Sequence, residues 1–512
     1  MKGYFSNLFI LGHKNRISMH TKIKLVVIGI LSACWLLPVA QNTDDILSSE
    51  KLIGKNLITN RDIVGKEFIF PERIEHTYLD TISNCMTVEL RGLFMGGKLL
   101  KNNGDFMLYD LSNRKTKWIK GMNYQNNFIE QHGNFIFKTS LNKTYCLDFE
   151  TGENLWKAKK LIAFVNPYLK IGVGYTPFPG YILNDDFEGV DLNNGNTLWK
   201  RKLNYEDGLN EIFMINDSVA MVVASGLHTI NLKDGKGWDY NAKTGARFGN
   251  AKITEIRSNV LMDSVGFYFA SQEKIVRLDH TGYVLWSCTL PKELTSNSQI
   301  LFMDSTLFMI NTGSASIGTS QFKQGKPYIA AFNPETGKKV FLSTVDDRRG
   351  KMVNCVIEKD EILILFKDRI ANCSVLTGAL IGEKKFDSRK YGDIDDFLSN
   401  KVFFRNDSIY TSLALSDTIN RYVVTTKGKI VVINPGLEVV REYEKDQLYR
   451  YYLRYQGLRF LSKGNNTIVI DRNNKIVATL ETSRHAQKIG SKLYQVGEKS
   501  VLEIELKQLN GN

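Results

Sequence analysis

Proline is scarce in this chain, nine residues in 512, so no stretch reads as a proline-rich spacer between domains. Cysteine is scarce too. Cys34, Cys85, Cys146, Cys288, Cys355 and Cys373 lie far apart, with no adjacent pair and no C-x-x-C. That excludes a dense disulfide framework and a clustered thiolate metal site. Cys146, Cys355 and Cys373 sit in apolar runs and read as buried free thiols; a Cys355–Cys373 disulfide is the alternative. The five histidines beyond the N-terminal segment, His76, His132, His228, His280 and His485, are scattered without H-E-x-x-H or any paired spacing, which leaves them structural or surface roles. No G-x-S-x-G, P-loop or G-x-G-x-x-G context occurs; Gly172-Val173-Gly174 has no helix after it. No segment keeps a helical period with caps, and this removes helical-repeat architectures.

What is present is a globular composition, 11% aromatic and 24% charged, with a formal charge of +13. The first 40 residues hold Lys2, Lys14, Arg16, Lys22 and Lys24 and no acid, so the remaining 62 basic and 54 acidic residues leave +8. That excess suits anionic surfaces or glycans. No dense Lys/Arg stripe marks a nucleic-acid site. Lys22 to Gln41 reads as a secretory signal: a basic start, then the apolar run Leu25–Ala40, too short for a comfortable membrane span. Residues 1–40 are therefore expected to be a signal peptide, with Met19 as a second candidate start. Three fates fit: cleavage after Pro38-Val39-Ala40, a lipid on Cys34 in the lipobox-like Leu31-Ser32-Ala33-Cys34, or retention of the run as an uncleaved anchor. Each predicts an exported protein, periplasmic or extracellular, whose only membrane attachment is the signal or the lipid.

The decisive feature is a repeat. Leu147-Asp148-Phe149-Glu150-Thr151-Gly152-Glu153-Asn154-Leu155-Trp156 and Val190-Asp191-Leu192-Asn193-Asn194-Gly195-Asn196-Thr197-Leu198-Trp199 share one frame. An Asp stands four residues before a Gly and a Trp four residues after it. The frame recurs with decay at Asp110/Arg114/Trp118, Asn231/Gly235/Trp238, Asp279/Gly282/Trp286, Asn333/Gly337/Phe341 and Ser374/Gly378. Shorter turns at Pro435-Gly436 and Asn473-Asn474 make nine cues. Every tryptophan beyond the signal lies at or beside this slot. Alternation before the turn, with Tyr145, Leu147 and Phe149 facing one way, predicts strands. The Thr-Gly and Asn-Gly pairs supply the positive φ of tight hairpins. Spacings of about 37 to 58 residues suit four-stranded blades. The expected fold is all-β: a single propeller of four-stranded antiparallel blades over residues 81–512, with residues 41–80 supplying a ring-closing strand, Glu67 to Phe70 being the candidate.

The Asp/Asn-x-x-Thr/Asn-Gly-x-x-x-Trp frame resembles the repeats of PQQ-like (quinoprotein-type) β-propellers. The family includes quinoprotein dehydrogenases and the propeller lipoprotein of the outer-membrane barrel assembly machinery. The resemblance implies eight blades. In the dehydrogenases it implies PQQ between a tryptophan and a vicinal disulfide, near calcium. This chain has no adjacent cysteines, and no acid matches a calcium position, so neither PQQ nor calcium is expected and no catalytic or metal residue is assigned. Asp191 to Gly195 reads as the repeat turn rather than a cation loop. Asn184-Asp185-Asp186 with Glu188 reads as a solvated loop.

Candidate binding residues lie where the frame is interrupted: Tyr175, Phe178 and Tyr181 in one aromatic loop, Trp238 and Tyr240 in a broken repeat, and Phe322 in a Gly/Ser-rich excursion. Long loops on a rigid scaffold carry recognition. The expected function is an exported non-catalytic scaffold for a protein or glycan partner at the bacterial envelope, as a monomer or part of a complex. A divergent PQQ-dependent dehydrogenase or a carbohydrate-active propeller enzyme is the alternative.

Overall fold

The computed structural model describes residues 46–512, apart from residues 95–98, 141–142, 176–185, 204–208, 242–246, 249–250, 253–255, 318–319, 346–351, 359–360, 399–400, 406–407, 413–419, 446–447 and 511–512. Cys34, Met19 and the rest of residues 1–45 lie outside the described residues, as do Phe178 and Tyr181. Antiparallel four-strand units follow one another along the chain. The first runs from Ile74–Asp80 to Lys115–Asn123, the second from Asn127–His132 to Asn154–Ala158, the third from Leu161–Asn166 to Thr197–Lys202, and the fourth from Glu211–Met214 to Asp239–Tyr240. The fifth runs from Leu261–Met262 to Val284–Thr289, the sixth from Ser298–Met303 to Lys339–Thr344, the seventh from Met352–Ile357 to Leu380–Lys385, and the eighth from Ile394–Phe397 to Val439–Glu444. These eight stand as separate four-stranded sheets. An eleven-stranded sheet carries two more units. The ninth is Leu448–Tyr455 to Ile476–Leu480. The tenth takes Gln487–Ile489, Lys492–Val496 and Ser500–Glu505 from the chain's end and Asp62–Ile69 from its start. Here Gly65 to Ile69 pair with Ile504 to Ser500. Strand Leu47–Asn56 then links Asp62–Ile69 to the ninth unit through Gly54 to Asn56.

Apolar clusters fill the spaces between consecutive units. Phe106, Leu108, Trp118, Ile129, Ile136 and Leu147 join the first to the second. Phe68, Tyr494 and Val501 of the tenth pack on Met86, Val88 and Tyr109 of the first, so the succession is cyclic and the fold is β-propeller-like. A ring of eight would leave out the two units of the eleven-stranded sheet. The alternation read in the sequence divides two neighbours rather than core from water. Leu147, with Tyr145 and Phe149 against it, faces the first sheet, while Cys146 faces the third. Middle strands such as Gly266–Ala270 are consequently buried at every position.

Each of the nine hairpin cues falls between the third and fourth strands of a unit; the tenth has no such turn, because its fourth strand comes from elsewhere in the chain. The aromatic residue of one unit lies on the turn glycine of the next. A Cβ on Gly152 would sit 2.6 Å from Trp118, one on Gly195 2.7 Å from Trp156, one on Gly235 2.6 Å from Trp199, and one on Gly282 2.6 Å from Trp238. Gly337 meets Trp286 and Gly378 meets Phe341 in the same way. The indole Nε1 atoms donate to carbonyls of that next turn, Trp118 to Phe149 at 3.1 Å, Trp156 to Leu192 and Trp199 to Leu232 at 2.7 Å, Trp238 to His280 at 2.9 Å and Trp286 to Pro334 at 2.8 Å. The repeat aspartate closes its own turn: Asp148 Oδ1 accepts from the backbone of Glu150 and Thr151. At the seventh-to-eighth junction the partners exchange size. Gly382 stands in the aromatic slot and the facing turn carries Leu437, with φ +62, which is buried in the shared core.

Candidate functional site

In each antiparallel unit the second-to-third connection and the link to the next unit share one end; the first-to-second and third-to-fourth turns share the other. On the first end, among the described residues, are hairpin Leu93–Phe94 with Leu99–Leu100 in the first unit, hairpin Arg247–Phe248 with Ala251–Lys252 after the fourth, and hairpin Ser314–Ile317 with Ser320–Lys323 in the sixth. The opposite end has short turns, apart from hairpin Lys401–Arg405 with Ser408–Ser412, whose second strand runs parallel to Leu448–Tyr455.

Of the described candidate residues, Tyr175, Tyr240 and Phe322 lie toward the first end, whereas Trp238 packs on the third-to-fourth turn of the fifth unit, at the opposite end. Tyr175 closes strand Ile171–Tyr175, half-buried, its ring stacked 6.5 Å from Phe187. Trp238 is committed to packing on Gly282 and Phe267, and Tyr240 meets Phe269 edge-on at 5.1 Å. These two serve the core between the fourth and fifth units. Phe322 belongs to strand Ser320–Lys323, its side chain lying outside the described residues.

Beneath the first end, Asp239 bridges His228 and Arg201. Its Oδ1 lies 2.6 Å from His228 Nδ1 and 2.6 Å from Arg201 Nη2. Burial works to raise its pKa, yet these hydrogen bonds outweigh it and hold the carboxyl below the usual range. His228 is fully buried, so this group ties the third unit to the fourth and offers no water-accessible base. Sequence reasoning assigned His228 a structural or surface role. The cluster around Glu188 also differs from a solvated loop: Glu188 is buried, 2.5 Å from Lys160 and 3.1 Å from Lys200. Asn184 and Asp185 fall outside the described residues.

The first unit holds a polar collar that sequence reasoning missed. Arg91 pairs with Glu75 at 3.2 Å and lies 5.0 Å over the Tyr124 ring; Lys101 pairs with Glu72 at 3.4 Å. Tyr124 donates to the carbonyl of Leu90 at 2.9 Å. Below them Glu89 is 6% exposed. Burial first, then the neighbouring Glu75, pushes its pKa up to about 7. The signal was an acid inside the strand-like run Met86–Leu90, whose other residues are apolar except Thr87. An acid that binds its proton more tightly in the folded chain adds no penalty below about pH 4.5; its contribution is lost as pH rises through about 7. The Glu89→Gln variant should therefore gain stability relative to wild type on going from pH 4.5 to pH 8, by about 3 kcal/mol, read from urea midpoints. An unchanged difference across that range would refute the assignment.

Among the described residues, no cluster of three or more His, Cys, Asp or Glu is placed to hold a metal. A cavity of about 40 Å³ between the sixth and seventh units is lined by Ile329, Ile364, Phe366, Cys373 and neighbours and belongs to the apolar core. The five described cysteines are free thiols; burial pushes Cys355 up to about 12.

No family model and no curated protein matches the chain. Among solved structures, BamB from Moraxella catarrhalis is 12% identical, covering 74% of this chain and 96% of its own, with a TM-score of 0.32. The computationally designed Ika8 protein is 11% identical over 71% and 99%, TM-score 0.28, and a eukaryotic initiation factor 11% identical over 65% and 84%, TM-score 0.36. Similarity of this size lends nothing to a functional reading.

Proposed function

We propose that the chain is an exported, non-catalytic propeller scaffold that binds a protein or glycan partner at the cell envelope, using the end that carries the insertions. On this reading ten units, rather than the eight implied by the PQQ-like resemblance, close one ring. What supports the reading is asymmetry: among the described residues, three inserted hairpins stand at one end of the sheets, and Glu188 and Asp239 beneath that end are engaged in internal pairs. Rigid strands hold the loop bases while loop composition sets what is bound. The absence of a vicinal cysteine pair in the sequence disfavours quinone chemistry of the dehydrogenase type.

Photo-crosslinking residues placed at Phe178 and Tyr181 should capture a protein or glycan in cells. The same residue at Tyr168 and Leu376, exposed by 79% and 76% on opposite-end turns, should not. Capture at the turns alone overturns the assignment. Adding PQQ with calcium should leave the melting temperature unchanged; a rise of several degrees would instead establish a bound cofactor.

A further inference from the structure

Seven Asp-Ser or Asp-Thr pairs occur in the chain, and in six of them the next residue is Ile, Val or Thr. The exception, Asp387-Ser388-Arg389, opens a helical turn. All six lie, along the chain, between the first and second strands of a unit. Four are described: Asp80-Thr81-Ile82, Asp217-Ser218-Val219, Asp263-Ser264-Val265 and Asp304-Ser305-Thr306, at the opposite end of the first, fourth, fifth and sixth units. Asp407-Ser408-Ile409 and Asp417-Thr418-Ile419 extend outside the described residues. Turn formation does not require the tripeptide. In the first and fifth units the Asp closes the turn: Asp80 Oδ2 accepts from the backbone of Ile82 and Ser83, and Asp263 Oδ1 from that of Val265 and Gly266. In the fourth, Asn216 does this for Ser218 and Val219, and Asp217 is exposed. In the sixth, Asp304 stands in a two-residue loop with φ +50. Three turn geometries thus share one sequence, while Gly133, Gly457 and Gly490 turn other units at the same end without it. Strand propensity accounts for Val219 and Thr306, the first residues of their strands. It does not account for Ile82 and Val265, which precede theirs and are 49% and 45% exposed.

What the copies have in common is a hydroxyl held out on a turn. Thr81, Ser264 and Ser305 are exposed, and among the described residues no group bonds their hydroxyls. Ser218 is half-buried, its hydroxyl 3.5 Å from Asn216 Oδ1, and is the least accessible copy. Each hydroxyl follows a carboxylate and precedes a branched side chain, a pattern that an enzyme can read on the folded chain. We propose that Thr81, Ser264 and Ser305 are acceptor sites for O-linked glycosylation, with the tripeptide as the recognised signal. The hydroxyl oxygen attacks the anomeric carbon of a sugar carried on a nucleotide or polyprenyl diphosphate. A glycosidic C–O bond forms, the bond to the diphosphate breaks and its electron pair leaves with the diphosphate, and the hydroxyl proton passes to a base of the transferase. A neutral sugar adds no charge beside the Asp, whereas a phosphate would set about two negative charges there. Carbohydrate at these turns leaves the first end uncovered, so the assignment is separate from partner binding at that end and holds whether or not that binding exists.

The test takes the full chain from the cells in which it is native and sequences its peptides by electron-transfer mass spectrometry, which leaves side-chain groups attached. Saccharide should be found on Thr81, Ser264 and Ser305. Ser264→Ala should remove the saccharide of that site and leave the other two. Asp304→Gly probes the signal itself: glycine adopts φ +50 freely, so the turn keeps its shape. In that variant the saccharide at Ser305 should be lost, while Thr81 and Ser264 keep theirs and the urea midpoint stays in place. Bare hydroxyls at these positions overturn the proposal. Phosphate in place of saccharide also overturns it. So does a saccharide at Ser305 that survives Asp304→Gly, since the tripeptide would then not be what the transferase reads.

Discussion

Trp156→Ala should destabilise the protein by about 3–5 kcal/mol, the range for removing a large buried aromatic side chain. The ring is 8% exposed and lies between the second and third units. Its removal leaves a void that Gly195 cannot fill, because the glycine brings no side chain. It also leaves the Leu192 carbonyl without the 2.7 Å indole donor, a loss of about 1 kcal/mol by itself. The adjacent Leu155 is 54% exposed, and Leu155→Ala should change stability by less than about 0.5 kcal/mol. Equilibrium urea unfolding of the two variants checks both numbers. Equal effects would mean that the indole does not wedge the sheets apart.

Gly195→Ala approaches the same contact from the other side. Gly195 has φ +74, a conformation that costs a residue with a Cβ about 1–2 kcal/mol. The new Cβ would also stand 2.7 Å from the Trp156 ring, which forces the indole or the turn to move. Together these should cost about 3 kcal/mol. The two terms separate in a double-mutant cycle. With Trp156→Ala already present, the collision is gone and only the backbone cost remains, so the double variant should be more stable than the sum of the singles predicts by about 2 kcal/mol. Additive effects would show that glycine is required at this turn for φ alone. Arg114 (φ +58), Leu437 (φ +62) and Asn474 (φ +62) already argue that φ alone is not decisive, since each occupies the equivalent turn without glycine.

Those three residues also show where the sequence ceased to be readable. The frame was legible wherever an indole and a glycine met, as at Trp118–Gly152, Trp156–Gly195 and Trp199–Gly235, because two rare requirements coincided at fixed spacing. At Gly382 and Leu437 the junction is filled by exchanging large and small, which preserves volume and erases the motif. The unit count was hidden for a different reason: the tenth unit has no turn between third and fourth strands, so a tally of turns stops at nine. Trp238 looked misplaced and was offered as a binding residue. It keeps the ordinary packing on Gly282 even though it stands one residue closer to its own turn, because its strand is short and pairs only at Leu227 with Tyr240 and His228 with Asp239. The hairpin at Leu93 and Leu100 was unreadable because an apolar pair around glycines looks the same whether it is buried or wet. Glu89 and the pairs around Glu188 depend on which groups a neighbouring sheet brings close, and spacing along one chain does not carry that information.

The strand Asp62–Ile69 has a consequence for biosynthesis. Glu67 and its hydrogen-bond partner Ser500 lie 433 residues apart along the chain. At about 5–20 residues per second, translation takes roughly 20–90 seconds to span that interval. Throughout it the early strand waits with one edge bare, so the newborn chain depends on whatever shields that edge until Ser500–Glu505 emerges.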